Sequence, residues 1–359
     1  MRILFLLMLS LVSVCSKGQI DTTKSTFKVS GYLETYYSYD FAKPDNHIRQ
    51  PFVYAFNRHN EVSLNIGLIK LAYNSANTRA NLALMAGTYS NDNLSAEQGV
   101  LKNIFEANGG IKISKKHNLW VDAGIFPSHI GFESAIGKDC WNLTRSLLAD
   151  NSPYYESGAK ISYTSQNEKW FVSGLFLNGW QRIQRVNANN SLSFGYQLTY
   201  KPNDKITLNS SSFVGSDTPD SMKLMRYFHN FYGQFQVNSK LGLILGFDIG
   251  TQQKSKGSSE FNTWFSPVGI VKYSLNEQWS LAARYEFYSD PNQVIIATNT
   301  NNGFQTYGYS LNLDCNISPN IVWRIEGRGF SSKDAIFRLD NKPSDQNFFV
   351  TTSLAIAFQ

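Results

Sequence analysis

The stretch "FFVTTSLAIAFQ" (residues 348–359) alternates between two kinds of side chain. One alternate set is mostly large and apolar: Phe348, Val350, Thr352, Leu354, Ile356 and Phe358. The other set is mostly small or polar: Phe349, Thr351, Ser353, Ala355, Ala357 and Gln359. Successive side chains of a β-strand point to opposite faces. The stretch therefore predicts a strand with one apolar face, which either a protein core or lipid must cover.

The same alternation recurs along most of the chain. Residues 241–250 and 279–288 show it clearly, and residues 60–68 place Val62, Leu64, Ile66 and Leu68 together on a predicted outer face. We count about 16 such strands of about 9–13 residues, longer than the usual mode of about 5–6. Aromatic residues make up 14% of the chain, which favours β structure.

The connections between these strands alternate in length. Seven are tight, and each is followed by a long one. Short turns at one end and long loops at the other predict an all-β fold, a transmembrane antiparallel up-and-down barrel with short periplasmic turns and long extracellular loops. A soluble sandwich or solenoid is the alternative, but the long strands and the aromatic residues near their ends weigh against it. The tight turns read "NSAN", "KKHN", "SQNEK", "KPNDK", "NSK", "LNEQ" and "ISPN".

The N-terminal residues predict export. Residues 1–18 begin with a positive charge and continue with an apolar run of signal-peptide length, with cleavage expected between residues 16 and 19. Lipid attachment at Cys15 is an alternative, although Val14 stands where a small residue is expected. No later stretch approaches the length of a spanning helix. We therefore expect residues 19–359 to form the barrel, in the bacterial outer membrane.

The net charge of +6 comes from scattered rather than clustered basic residues. A nucleic-acid-binding surface needs clustered charge, so this class of partner is not predicted. The expected partners are outer-membrane lipid, small hydrophilic solutes and the outer-membrane assembly machinery, and a homo-oligomer remains open. Neither a cofactor nor a metal site is predicted.

If the apolar faces point to lipid, the opposite faces point inward and carry many charged residues. A barrel of about 16 strands is too wide to fill with side chains, so we expect a water-filled lumen. Arginines on the late strands would then give a mild preference for anions. The predicted pore-lining residues are Glu34, Arg79, Lys112, Asp122, Asp248, Arg284, Glu286, Arg324, Glu326 and Arg328.

The longest connection runs from Pro127 to Tyr155. Long loops are usually functional, and we expect this one to fold into the barrel and narrow it. An ordinary extracellular loop with a small apolar cluster is the alternative. The charged residues that the loop would bring to the constriction are Glu133, Lys138, Asp139 and Arg145.

This loop also carries a family resemblance. "SHIGFESAIGKD" (128–139) and "WNLTRSLLADNSPYYESGAKISY" (141–163) resemble the OmpL-like putative beta-barrel porin-2 family, and so do "LFLNGWQRI", "RYFHNFYGQF" and "SLAARYEFYSDP". The resemblance covers nearly all of the chain from about residue 27. It implies a porin-like barrel of Gram-negative bacteria of the Bacteroidota kind, without a known substrate or catalytic residues. One departure is Gln359, where an aromatic residue read by the assembly machinery is expected.

Two other functions stay open. An outer-membrane hydrolase would need a serine or acid next to a histidine, but the histidines at positions 47, 59, 117, 129 and 229 are scattered. We therefore predict that the protein is not an enzyme. A structural or adhesive barrel would bind a partner through its loops, although an anchor alone needs only about eight strands.

Overall fold

The structure, a computed structural model, describes residues 25–339 and 342–358. In this part of the chain, sixteen antiparallel strands, β1–β15 and β18, close into one barrel, and β16 and β17 form a separate hairpin in the last loop. The predicted signal peptide and Gln359 lie outside the described residues. The strands are β1 (Thr26–Asp40), β2 (Val62–Asn74), β3 (Thr78–Ala86), β4 (Ile104–Lys112), β5 (Asn118–Pro127), β6 (Tyr155–Thr164), β7 (Trp170–Leu177), β8 (Ser193–Asn203), β9 (Ile206–Gly215), β10 (Arg226–Gln236), β11 (Leu241–Gln253), β12 (Phe261–Ser274), β13 (Trp279–Asp290), β14 (Phe304–Ser318), β15 (Ile321–Ser332), β16 (Phe337–Leu339), β17 (Lys342–Ser344) and β18 (Gln346–Phe358).

The predicted barrel is confirmed, including its closure. β18 pairs with both β15 and β1, and Leu33 lies opposite Ile356 in the closing seam. Phe348, Leu354 and Phe358 are exposed on the outside, where lipid covers them. Since every strand has two neighbours, the barrel has no open sheet edge in the membrane.

The alternation of short and long connections is also confirmed. All seven predicted turns join consecutive strands, and the long connections lie at the other end. Residues 254–260, between β11 and β12, form a shorter loop than expected. The long loops contain helices α1 (Thr88–Asn93) and α2 (Leu147–Asp150) and three 3-10 turns, Gly99–Asn103, Gly137–Asp139 and Asp220–Met222. Among the described residues, none of the helices is long and apolar enough to cross a membrane.

The prediction for the outer face of β2 is wrong after its first residues. Glu34 of β1 pairs with Ile66, but Thr35 pairs with Leu64, so Asn65 is an extra residue in a β-bulge. Such an insertion moves every following side chain to the other face. Ile66 and Leu68 are therefore buried inside the barrel, whereas Ile69 and Leu71 are exposed on the outside.

The barrel interior is partly filled rather than uniformly open. Tyr32 of β1, Ile66 and Leu68 of β2 and Met85 of β3 form an apolar cluster inside the wall. The cluster continues into the loop between β5 and β6 through Ala135 and Leu143. One side of the lumen is thus packed like a protein core, and water has only the remaining space.

Candidate functional site

Residues 128–154, between β5 and β6, fold into the barrel, and we call them the inward loop. Its first part is fixed to the wall at β9 and β10. Ser211 donates a hydrogen bond to the carbonyl oxygen of His129 at 2.7 Å, and the main-chain N–H of Gly131 donates to Asn230 at 3.2 Å. Asn230 in turn donates to the buried Asp248 at 2.5 Å. The predicted pore residue Asp248 therefore acts on the inward loop through Asn230.

The inward loop reaches the opposite end of the barrel. The side chain of Lys138 donates to the carbonyl oxygen of Pro319, at 2.6 Å, in the turn between β14 and β15. The main-chain N–H of Lys138 donates to the hydroxyl of Tyr32 at 3.2 Å. Gly137 lies against the carboxylate of Glu34 with no space for a side chain, while Asp139 is exposed. The loop therefore descends from the extracellular end of β5 to the level of the periplasmic turns.

Two wall carboxylates hold the middle of the inward loop. Glu326 of β15 accepts the main-chain N–H of Thr144 at 2.5 Å, and Glu286 of β13 accepts that of Leu147, also at 2.5 Å. Both carboxylates are completely buried. Hydrogen bonds to charged groups are stronger than neutral ones, so these two contacts fix the loop main chain against one side of the wall.

Three wall arginines hold the loop carbonyl groups. Each forms a hydrogen bond of 2.7 Å: Arg324 to Gly137, Arg284 to Thr144 and Arg328 to Arg145. We call these arginines, with the two carboxylates, the latch: Arg284, Glu286, Arg324, Glu326 and Arg328.

Each charge of the latch is neutralised by an opposite charge nearby. Arg284 lies 3.1 Å from Glu326, and Arg328 lies 2.6 Å from Glu286. Arg324 is paired with Asp314 at 2.7 Å. Removing one partner of a buried ion pair costs about 3–5 kcal/mol, because the other charge is left without compensation. The latch is therefore stable only while it is complete.

Two predicted constriction residues stabilise the inward loop from within. Glu133 accepts the main-chain N–H of Ser146 at 3.0 Å and also contacts the hydroxyl of Ser146. Arg145 donates to the carbonyl oxygens of Ser134 and Leu143, both at 2.6 Å. The contacts of Glu133 with Ser146 and of Arg145 with Ser134 join parts of the loop more than ten residues apart, so the loop is a compact unit.

The remaining predicted pore residues lie on the wall formed by β3, β4 and β5. Arg79 and Asp122 form a bidentate ion pair with distances of 2.6 and 2.5 Å. The guanidinium of Arg79 also lies 4.4 Å from the ring centre of Trp120. Lys112 is partly exposed and lies opposite Trp120 in the strand register. None of these contacts involves the inward loop.

Three cavities lie within the barrel, and the inward loop lines two of them. A periplasmic cavity of 680 Å³ includes Lys70, Glu106 and Glu133 in its lining. A second cavity of 490 Å³ at the same end is lined mainly by uncharged polar residues and shares Tyr232 and Gln234 with the first. An extracellular cavity of 280 Å³ lies at the other end.

Residues 150–154 of the inward loop lie between the extracellular cavity and the first periplasmic cavity. Residues 150–152 line the extracellular cavity, and Pro153 and Tyr154 line the periplasmic one. This segment therefore contributes to the lining of both cavities.

Three of the histidines considered for hydrolysis lie in loops and contact other residues there or in the wall. His129 is buried and donates to the carbonyl oxygen of Ser212 at 2.8 Å, and burial lowers its pKa to about 4. His47 and His59 are stacked in the first loop, with ring centres 6.1 Å apart. These contacts position loops.

Several residues beside the cavities were not predicted from the sequence. Trp180 and Asp150 line the extracellular cavity, but both belong to loops, where no periodic pattern applies. Arg226 lines it as well and belongs to β10. The alternation in "RYFHNFYGQF" places Arg226 on the same face as Phe228 and Asn230, so the period could have identified it.

The fold is similar to those of solved outer-membrane porins. An anion-selective porin from Comamonas acidovorans has a TM-score of 0.62 and 10% identity, over 93% of this chain and 100% of that one. The outer membrane channel DcaP of Acinetobacter baumannii has a TM-score of 0.58 and 9% identity, over 96% and 100%. OmpF of Salmonella typhi, in complex with daunomycin, has a TM-score of 0.58 and 8% identity, over 92% and 97%. At such low identities these likenesses establish the fold alone.

A comparison with curated proteins gives no match. A family model described as "Putative beta-barrel porin-2, OmpL-like" matches residues 26–358, nearly the whole chain and including the inward loop. The predicted family is therefore confirmed, and with it the location. The chain belongs to the OmpL-like putative beta-barrel porin-2 family and is a porin of the bacterial outer membrane.

Proposed function

We propose that this porin is a narrow channel for passive diffusion of small hydrophilic solutes or ions, and that the loop from Pro127 to Tyr155 sets its bore. The observation that carries the proposal is the latch, which bonds the middle of the inward loop to β13 and β15. A loop held by five buried charged side chains occupies a fixed part of the lumen. Solutes have only the space beside it.

The predicted pore residues take two roles in this proposal. The latch, Glu34 and Asp248 act on solutes indirectly, because they hold or contact the inward loop or its partners. Arg79, Lys112 and Asp122 belong to the barrel wall and act on solutes without the inward loop. Since most of these charges are paired with an opposite charge at short distance, the field in the lumen is weak.

The size of the extracellular cavity limits the solutes. A volume of 280 Å³ corresponds to about nine water molecules at about 30 Å³ each. We therefore infer a channel for solutes no larger than one or two sugar rings. Weak ion selectivity follows from the near balance of acidic and basic groups around the cavities.

Liposome swelling with a series of neutral sugars tests this proposal. Liposomes containing the refolded protein should swell rapidly in a pentose or hexose and hardly at all in a linear tetrasaccharide, which does not fit past residues 150–154. Liposomes with heat-unfolded protein are the control. Equal swelling rates for hexose and tetrasaccharide would contradict a narrow bore, and rates no higher than the control would contradict a channel.

A further inference from the structure

Six lysines at four neighbouring periplasmic turns form a basic surface on one side of the barrel mouth. The turns join β4 to β5, β6 to β7, β8 to β9 and β10 to β11, and all six lysines are exposed. The same turns carry two carboxylates, Glu168 and Asp204, so the net charge of this surface is +4. The three other periplasmic turns contain no lysine. We call the six lysines the basic arc: Lys115, Lys116, Lys169, Lys201, Lys205 and Lys240.

The basic arc differs from the latch in how its charges are compensated. Each charge of the latch has an opposite charge nearby, whereas no described residue forms an ion pair with a lysine of the basic arc. On the extracellular side, Lys254 is paired with Glu260 at 3.0 Å. The charge of the basic arc is therefore only partly neutralised, by its two more distant carboxylates. Its field extends into the periplasmic mouth, where it attracts anions.

Two lysines of the basic arc lie directly opposite each other on the inner face of the wall. The main-chain N–H of Lys201 donates to the carbonyl oxygen of Lys169 at 2.8 Å. The flanking residues Trp170 and Tyr200 stack on the outside with ring centres 4.1 Å apart, so both lysines face inward. Like charges directly opposite each other in a sheet are destabilising. A bound anion would remove this repulsion.

Both lysines line the second periplasmic cavity, of 490 Å³, together with the carboxylate of Glu168. Beside them, Thr207 and Gln234 also line the cavity, and both are partly exposed. Their side chains have no hydrogen-bond partner among the described residues, so a hydroxyl and an amide N–H₂ are free to donate to anionic oxygen atoms. The volume corresponds to about 16 water molecules at about 30 Å³ each. Positive charge, donors and space for a small solute therefore occur in one place.

We propose that the second periplasmic cavity binds small multivalent anions, with Lys169 and Lys201 as the charged contacts. The rest of the basic arc draws anions to the mouth. This inference rests on the proposed diffusion channel and names a solute class for its periplasmic end. A multivalent anion gains most, because it contacts both ammonium groups at once and its attraction grows with its charge. Lysine acts as a point charge rather than as a shaped fork, so the class includes carboxylates and phosphates.

Saturation-transfer NMR of the full-length protein in an uncharged detergent tests the site, with citrate as the probe at an ionic strength of about 0.01 M. The wild type should bind citrate saturably, and inorganic phosphate should displace it. The double variant Lys169→Gln with Lys201→Gln should bind citrate about tenfold more weakly. Raising the ionic strength to about 0.15 M shortens the Debye length from about 30 Å to about 8 Å and should weaken wild-type binding several-fold.

The matched control is the double variant Lys254→Gln with Lys256→Gln. It removes the same charge from the exposed loop between β11 and β12, at the other end of the barrel, and should leave citrate binding unchanged. Heat-dependent gel mobility shows that each variant is folded.

Three outcomes would overturn the site: no saturable citrate binding by the wild type, equal binding by the wild type and the Lys169 and Lys201 variant, or an equal loss in the control. Failure of phosphate to displace citrate would overturn the assigned class, and so would equally tight binding of neutral methyl α-glucopyranoside. NMR binding does not depend on ion conduction. A protein that conducts but binds no citrate therefore contradicts this inference alone, and one that binds citrate but does not conduct contradicts the proposed channel alone.

Discussion

Replacing Glu286 and Glu326 together by alanine should increase the single-channel conductance several-fold. These carboxylates accept the N–H groups of Leu147 and Thr144 and neutralise Arg328 and Arg284. Without them, the buried Arg328 loses its counter-charge and Arg284 keeps only Glu133, at 3.8 Å. Each broken pair costs about 3–5 kcal/mol. If the inward loop leaves the wall, water reaches these arginines and hydrates them, which removes that cost.

The barrel wall should survive this change, because its strands are joined by main-chain hydrogen bonds. The measurement is planar-bilayer conductance of protein whose folding is checked by its heat-dependent gel mobility. Glu106→Ala with Asp122→Ala is the matched control. It also removes two inward carboxylates from ion pairs, with Lys70 and Arg79, but neither touches the inward loop. A folded latch variant with wild-type conductance would refute the role of the latch.

Raising the pH from 6 to 9.5 should shift the selectivity of the channel towards cations. Asp150 has a pKa raised to about 8, chiefly because it is buried. Glu133 raises this pKa further, whereas Arg328, Arg145 and Arg284 lower it. Above pH 8 the carboxyl group ionises and adds a negative charge beside the narrow segment of the path.

Reversal potentials in a salt gradient measure this shift. The variant Asp150→Asn cannot ionise at this position, so it should lose most of the pH dependence while still conducting. The ionisation of Asp150 also changes the stability of the folded protein. Since the raised pKa makes the native state retain a proton that the unfolded chain loses, the free energy of unfolding should fall as the pH rises from about 4 to about 8. If the variant keeps the full pH dependence of selectivity, another group is responsible.

The alternating pattern was sufficient to predict most of the barrel. It identified the strands, their inward faces and the seam between β1 and β18, because a strand in lipid must show its apolar face outward. It failed in β2, where one extra residue, Asn65, exchanges the two faces. The apolar set Val62, Leu64, Ile66 and Leu68 continues through the bulge without interruption, so the pattern alone does not reveal it.

The path of the inward loop could not be derived from local sequence. Thr144 and Glu326 are hydrogen-bonded across a separation of 182 residues, and such contacts depend on the closed barrel. The charged inward faces were visible in the sequence, but the pattern does not reveal whether water or protein covers them. In the structure the inward loop, rather than water, covers the charges of the latch.

The most direct test of the central claim is the single-channel conductance of a chain in which residues 131–150 are replaced by a short Gly-Ser link. The claim is that the inward loop, held by the latch, sets the bore of the channel. The shortened barrel should conduct several-fold more than the full chain and should admit the tetrasaccharide. A correctly folded shortened barrel with the conductance and size limit of the full chain would contradict the claim.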